Sequence, residues 1–485
     1  MLKRTRSFLV LVMLLMTVTM SAQVTTATMS GKVTAQDEPI IGATIVAIHE
    51  PSGTRYGTVT NVSGQFNLQG MRTGGPYKVE ISYVGYQTAI YKGINLLLGE
   101  NYVLNVSLKE SSELLDEVVV TASKESNMKS DRAGAIMNAN RDMISNTPTI
   151  SRSISDIMRL SPQGADVGNG FAVGGGNYRQ SFVTVDGAAF NNTFGLGGNL
   201  PANGSPISLD ALEQVTVAVT PFDVRQSGFT GGAINAVTRS GDNQFRGTAY
   251  MYFNNENLKG SKVDDYELLR SKAQYYTYGA SFGGPIIKDK LFFFVNGEYE
   301  DNVTAGSNYR PRTALGESYS GGNIHRPLQS DMDDMRGFLL NKYNFDPGKY
   351  NDYSTDTPAY RVMARVDWNA NQNNKVSFRF TKTHTKDSNF PTSSVSPLST
   401  SALYPGGTST EVIDGKPVGT IAPGQGRTSK YALSFSNSNY YQVRDFTSVA
   451  GEWNSRMAQG AMNNMLRFAY SYQDEPRSFD GPLFP

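Results

Sequence analysis

The chain has 485 residues, 44 basic and 43 acidic side chains, 48 glycines, 26 tyrosines, 24 phenylalanines and no cysteine. The near-zero net charge and the lack of a basic stripe give no reason to expect nucleic acid. The glycine and aromatic content fits strands and tight turns better than helical bundles, and the missing thiols suit a chain that crosses an oxidising compartment.

Lys3, Arg4 and Arg6 precede an apolar run from Phe8 to Val18, and Ser21-Ala22-Gln23 follows. This is the pattern of a secretory signal peptide over residues 1–22. The run is shorter than the ~20 residues that a bilayer-spanning helix needs. No cysteine follows it, which excludes lipoprotein processing, and no later stretch is as apolar. The mature chain is expected outside the cytoplasm.

Residues 23–110 read as short strands broken by turns. Alternation is clear in Tyr77-Val79-Ile81-Tyr83 and in Tyr102-Leu104-Val106-Leu108, which predicts a small β-sandwich. A polar linker, 111–129, carries "LLDEVVVTAS". Its three valines need a strand partner, and two readings fit. They are a last strand of the sandwich, or they add to a sheet of another protein by β-augmentation.

Residues 130–240 predict a compact α+β unit. Residues 124–150 are polar with weak helical tendency. "SISDIMRLSP" is a short amphipathic helix ending before Pro162. Phe182, Thr184 and Asp186 oppose Val183 and Val185 on a strand that ends in an Asp-Gly turn. "LEQVTVAV" and "GGAINAVTRSG" supply two more strands.

From residue 241 the period becomes two over membrane-strand lengths. Tyr360, Val362, Ala364, Val366 and Trp368 oppose Arg361, Arg365 and Asp367. Val376, Phe378 and Phe380 oppose Arg379 and Thr381. Seven strands are expected, near 245–253, 275–283, 291–300, 359–368, 375–384, 443–456 and 464–473. Connections alternate short (284–290, 369–374) and long (301–358, 385–440), as in outer-membrane barrels. Trp368 and Trp453, the two tryptophans, fall where strands enter short turns, the place for an aromatic girdle. Bacterial barrels close with an even strand number, so residues 241–485 are expected to be the N-terminal part of a larger, incomplete barrel. The fold class is thus mostly β: signal peptide, small β-sandwich, α+β plug, then the first strands of an antiparallel transmembrane β-barrel.

Enzyme signatures fail. His49, His325 and His384 lack metal-ligand spacing. Gly279-Ala280-Ser281-Phe282-Gly283 matches G-x-S-x-G, but a hairpin follows where a helix is required. "GFAVGGGNY" lacks dinucleotide-binding spacing. Asp331–Asp334 reads as a solvated acidic loop, or as a divalent-cation loop. No cofactor and no metal are expected.

"DEVVVTA", "RQSFVTVDGAAF", "LEQVTVAVTPFDV" and "GFTGGAINAVTRSG" together resemble the TonB box and plug of TonB-dependent outer-membrane receptors. With "SFGGPIIKDKLFFFVNGEYE" they are similar to the Oar-like branch. "PIIGATI", "SGQFNL" and "ISYVGYQT" resemble the carboxypeptidase regulatory-like domain, a transthyretin-like sandwich sometimes grouped with carbohydrate-binding folds; here it is a spacer or a sugar binder. The resemblance implies a Gram-negative outer-membrane location, with plug and N-terminal domain on the periplasmic side. It also implies outer-membrane lipid around the barrel, an unidentified transported ligand, and TonB with its inner-membrane energising complex as partner. The TonB box falls on Asp116, Glu117, Val118, Val119, Val120, Thr121 and Ala122. Arg179, Arg225 and Arg239 are expected between plug and barrel. Phe171, Asn177, Tyr178, Phe190, Asn191 and Asn192 are expected to face the ligand. Adhesion or surface assembly on the same scaffold is the alternative function.

Overall fold

The computed structural model describes residues 24–110, 118–121, 136–149, 152–168, 170–192, 198–219, 228–258, 260, 262–263, 266–267, 272–306, 309–319, 323–389, 395–397, 412–413, 416–421, 433–457 and 462–479. The signal-peptide span, Asp116, Glu117, Ala122 and Arg225 lie outside them. No helix among the described residues is long and apolar enough to cross a membrane.

The first unit is a sandwich. One sheet pairs β1 (Ala27–Ala35) with β4 (Gln65–Met71), and the short strands Asn101–Val103 and Val106–Ser107 run parallel to β1. The other contains β2 (Thr44–His49), β3 (Thr54–Val59), β5 (Gly74–Ser82), β6 (Ala89–Leu96) and β7 (Val118–Thr121), in the order β7-β6-β5-β2-β3. Tyr77, Val79 and Ile81 all point inward against Met29, Val33 and Leu68. Period two thus puts every second side chain of β5 in the core.

The second unit holds β8 (Ile136–Ala139), α1 (Arg141–Asn146), α2 (Ile154–Met158), β9 (Phe182–Val185), β10 (Leu212–Ala218) and β11 (Ala233–Thr238). Its sheet order is β8-β10-β11-β9, continued by Ala188–Ala189. Composition alone did not reveal β8, which is fixed by pairing antiparallel to β10. Asn140 caps α1 through Met143 N, and Ser153 with Asp156 forms a capping box on α2. These caps satisfy backbone donors that short helices otherwise leave open.

The third unit is an antiparallel sheet whose meander runs through seven long strands, β12 (Arg246–Asn255), β13 (Gln274–Ile287), β14 (Leu291–Ala305), β15 (Ala359–Asn369), β16 (Asn374–Asn389), β17 (Tyr440–Met457) and β18 (Met462–Asp474), with the short strands Ser354–Asp356 and Arg477–Ser478 paired to β14 and β17. Tight turns at 288–290 and 370–373 mark one end, and several strands overrun the sequence expectation at the other. Val362, Val366, Phe378, Phe380, Phe468 and Tyr470 are exposed, while Glu298, Arg361, Arg379 and Thr381 on the opposite face are buried against the plug. Trp368 and Trp453 pair with Val376 from either side, so both indoles sit at one height beside the short turns.

One expectation is corrected here. Asp331–Asp334 is not a loop: it opens α3 (Gln329–Tyr343), with Asp331 in the first turn, where a helix dipole favours an acid. Asp333 accepts a hydrogen bond from the Tyr350 hydroxyl at 2.7 Å.

Candidate functional site

Three groups of polar side chains seat the plug in the barrel wall. The first centres on Asp186, in the Asp-Gly turn after β9 with φ 46°. Its carboxylate accepts from Thr238 N at 3.0 Å and Thr238 Oγ1 at 2.6 Å, and it meets Arg365 at 3.3 Å and Arg379 at 3.0 Å. The Arg379 side chain is 2% exposed. It also donates to Val185 O and to Ser448 Oγ, and its guanidinium lies 5.2 Å from the Phe190 ring centre.

The second group centres on Asp210, just before β10. Arg141 approaches it at 2.6 Å, Arg239 at 3.5 Å, and Thr248 of the barrel donates to it at 2.8 Å. Burial pushes the Asp210 carboxyl up, but hydrogen bonds from Ser281, Arg141 and Thr248 outweigh that and hold it below the usual carboxylate value. A lowered folded pKa stabilises above the unfolded value of about 3.9, and that stability is lost as pH falls through the folded value. Asp210→Asn is therefore expected to flatten the acid limb of plug release. Protease resistance of the plug, followed from neutral to strongly acid pH, measures this; identical limbs for both proteins would refute it.

The third group buries Glu298 against Arg361 at 3.0 Å, with side chains 1% and 4% exposed. Ser208 of the plug donates to Glu298 at 3.0 Å, Arg361 donates to Ser205 O at 2.6 Å, and Thr383 to Pro206 O at 2.7 Å. Ser281, the middle of the G-x-S-x-G stretch, is part of the second group: it bonds Thr248 at 2.6 Å and accepts from Arg239 at 3.3 Å.

Above these contacts, at the strand ends away from the short turns, plug and barrel enclose a vestibule of about 620 Å³. Ser153, Arg159, Asp166, Asn192 and Asn199 line it from the plug; Tyr275, Asn302, Arg361, Asp387 and Arg444 line it from the barrel. The charges are locally matched. Arg159 Nε donates to Asp166 at 3.0 Å, and this contact, with the Gly168 N–H, holds the Asp166 carboxyl low. Arg444 pairs with Asp387, and Arg361 with Glu300. The walls present amides, hydroxyls and compensated charges.

The six residues expected to face a ligand do not act together. Phe171 and Phe190 are corrected: they are 2% and 0% exposed in the plug core. Phe190 packs edge-on against Phe446 of the barrel at 4.7 Å. An apolar ring in a glycine- and asparagine-rich loop gains more from burial than from facing a polar chamber. Asn177 caps a single 3₁₀ turn through Arg179 N, and Tyr178 accepts from Arg179 Nε at 3.0 Å. Asn191 ties Val183 N, Ser181 O and Asn199 together at 2.7–2.9 Å. Asn192 reaches the vestibule, and Tyr178, Asn191 and Asn192 also line a smaller recess of about 240 Å³. Arg239 lies between plug and barrel, over the Phe294 ring at 4.8 Å. Arg179 is exposed beside Tyr178. The hubs Asp186 and Asp210 were not singled out from sequence. Inward-facing Arg361, Arg365 and Arg379 were the available signal, since charges on a buried face demand counter-charges.

The sandwich sits at the short-turn end. Gln214 of β10 accepts from Leu98 N at 2.8 Å and donates to Leu96 O at 3.2 Å. Arg72 donates to Gly241 O at 3.3 Å. Toward the barrel, Asn369 donates to Thr54 at 2.9 Å, and Lys375 lies over the Tyr56 ring at 3.4 Å. Val118–Thr121 runs parallel to β6 as the outermost strand of its sheet.

Residues 28–109 match the carboxypeptidase regulatory-like domain, and residues 237–413 match an outer membrane beta barrel domain. The TonB-dependent transporter Oar of Myxococcus xanthus is 27% identical over 256 residues, covering 51% of this chain and 22% of the relative. The TonB-dependent receptor SusC of Bacteroides thetaiotaomicron is 29% identical over 269 residues, covering 52% of this chain and 24% of the relative. The outer membrane transporter YddB from Escherichia coli superimposes with a TM-score of 0.45 at 12% identity, over 70% of this chain and 38% of that one. The matched region thus spans less than a quarter of the length of the two curated relatives. The chain carries a carboxypeptidase regulatory-like domain ahead of an outer membrane beta barrel domain, which places it in the Gram-negative outer membrane, and it is similar to TonB-dependent transporters and receptors.

Proposed function

We propose that the protein takes up a ligand across the outer membrane, and that TonB energises it through the segment Asp116–Ala122. The observation that carries this reading is the polar vestibule directly above a plug seated by three groups of ion pairs and hydrogen bonds, beside a limited apolar contact with Phe294, Met363, Phe446 and Ala450. Polar contacts can be exchanged for water as the plug shifts, whereas a continuous apolar seal would have to be torn open. The names of the two curated relatives support the same reading. Ligand bound in the vestibule touches plug and barrel together, through groups such as Asn192 and Arg361, so its binding shifts the plug and alters how the box is offered below. TonB grips the backbone of the box as an added strand.

Residues 1–485 contain no cysteine, so Val119→Cys adds the one thiol of this stretch. In the full-length protein it is expected to crosslink to a TonB variant carrying one cysteine, more strongly once a nutrient extract is added to intact cells. A correctly inserted protein that forms no crosslink would overturn the energised reading and favour adhesion on the same scaffold.

A further inference from the structure

We infer that the regulatory-like domain is the platform that presents the box, and that TonB docks by extending its five-stranded sheet; this rests on the TonB reading above. Val118–Thr121 pairs with β6 in parallel, Val118 beside Ala89 and Thr121 beside Lys92. It ends the sheet order, so among the described residues its other edge carries no strand. Half of the backbone groups of an outermost strand point away from the sheet and template one more strand. The occupant that fits is an extended segment of TonB's periplasmic domain. Asp116 and Glu117 precede the strand, which favours a partner strand flanked by basic side chains.

Two further contacts make this a force path as well as a dock. The chain leaving the sandwich is held where Gln87 N donates to Lys109 O at 2.9 Å, and Tyr86 bridges Glu110. At the other end of β6, Leu96 O and Leu98 N are clasped by Gln214 of the plug strand β10. Tension on Val118–Thr121 therefore loads β6, and β6 is tied to the plug two residues past its end. An already extended box also spares TonB the cost of ordering it.

The test is a register-matched cysteine pair, Lys92→Cys with Thr121→Cys, in the full-length protein in outer-membrane vesicles. Lys92 is exposed, so its substitution leaves the sandwich core intact, and the reduced form of the pair is its own control for folding. Oxidation is expected to close the pair readily, and more slowly for Lys92→Cys with Val119→Cys, which the register offsets. The probe is the purified periplasmic domain of TonB. Capture of the oxidised protein is expected within about twofold of the reduced protein, or tighter, because the open edge is untouched and the strand is preordered. Loss of capture on oxidation, with recovery on reduction, would show that TonB must strip the box from β6 and would overturn presentation. Failure of the matched pair to close would overturn the docked strand itself. Failure of the reduced protein to capture TonB would count against the energised reading, separately from both.

Discussion

Asp186→Ala is expected to weaken the seating of the plug by about 3–5 kcal/mol, the usual cost of removing one partner from a buried ion pair. The carboxylate serves four groups: Arg365, Arg379, Thr238 N and Thr238 Oγ1. Of these, Arg379 is the most demanding. Its contact with Asp186 is a close approach of charges, without the alignment of a full hydrogen bond at Nε. The rest of its guanidinium is held by neutral oxygens of Thr381, Val185 and Ser448. Without the carboxylate, the Arg379 cation stays desolvated with no counter-charge beside it, while Arg365, a like charge, keeps its own partner Asp367. Asp186→Asn separates the effects, because asparagine tolerates the left-handed turn and keeps an acceptor for Thr238 while losing the charge. The measurement is the denaturant midpoint of the plug, read by protease cleavage in the inserted full-length protein. An unchanged midpoint for Asp186→Ala would mean that water reaches Arg379.

Val119→Pro is expected to abolish energised uptake and leave ligand binding at the surface intact. In a strand added to a sheet, grip resides in backbone N–H and C=O groups, so most side-chain exchanges at 118–121 should be mild. Proline removes one N–H and fixes φ near −65°. Position 119 is the second of four paired residues on β6; its lost N–H weakens one edge of the strand, and the fixed φ distorts the strand for a partner on either edge. The vestibule is lined by none of these residues, which is why binding should survive. Val119→Ala keeps the N–H and should retain most uptake.

The barrel was legible because each strand carries its own signal. In "AYRVMARVDW" alternation gives one apolar and one charged face, and the alternating short and long connections with the two tryptophans point to lipid on the apolar side, while the plug against the other is what the family resemblance implies. The sandwich was legible for the same reason. The anchors were not, because they are long-range. Asp186 and Arg365 lie 179 residues apart, and Thr383 reaches Pro206 O across 177. Phe171 and Phe190 were misread because a loop's composition says nothing about which core it folds onto. Strand β8 was missed because four residues that pair only with a distant strand leave no period to read. For Val118–Thr121 the sequence left two partners open, and the fold pairs the strand with β6, which is compatible with a second partner on its far edge.

The most direct measurement is uptake of a ligand recovered from nutrient extract on the purified full-length protein. It would be followed in cells with the native chain, with Val119→Pro, and without TonB. Surface binding is expected to be equal in all three, with accumulation inside the cell only for the native chain with TonB present. Equal accumulation in all three would contradict energised uptake.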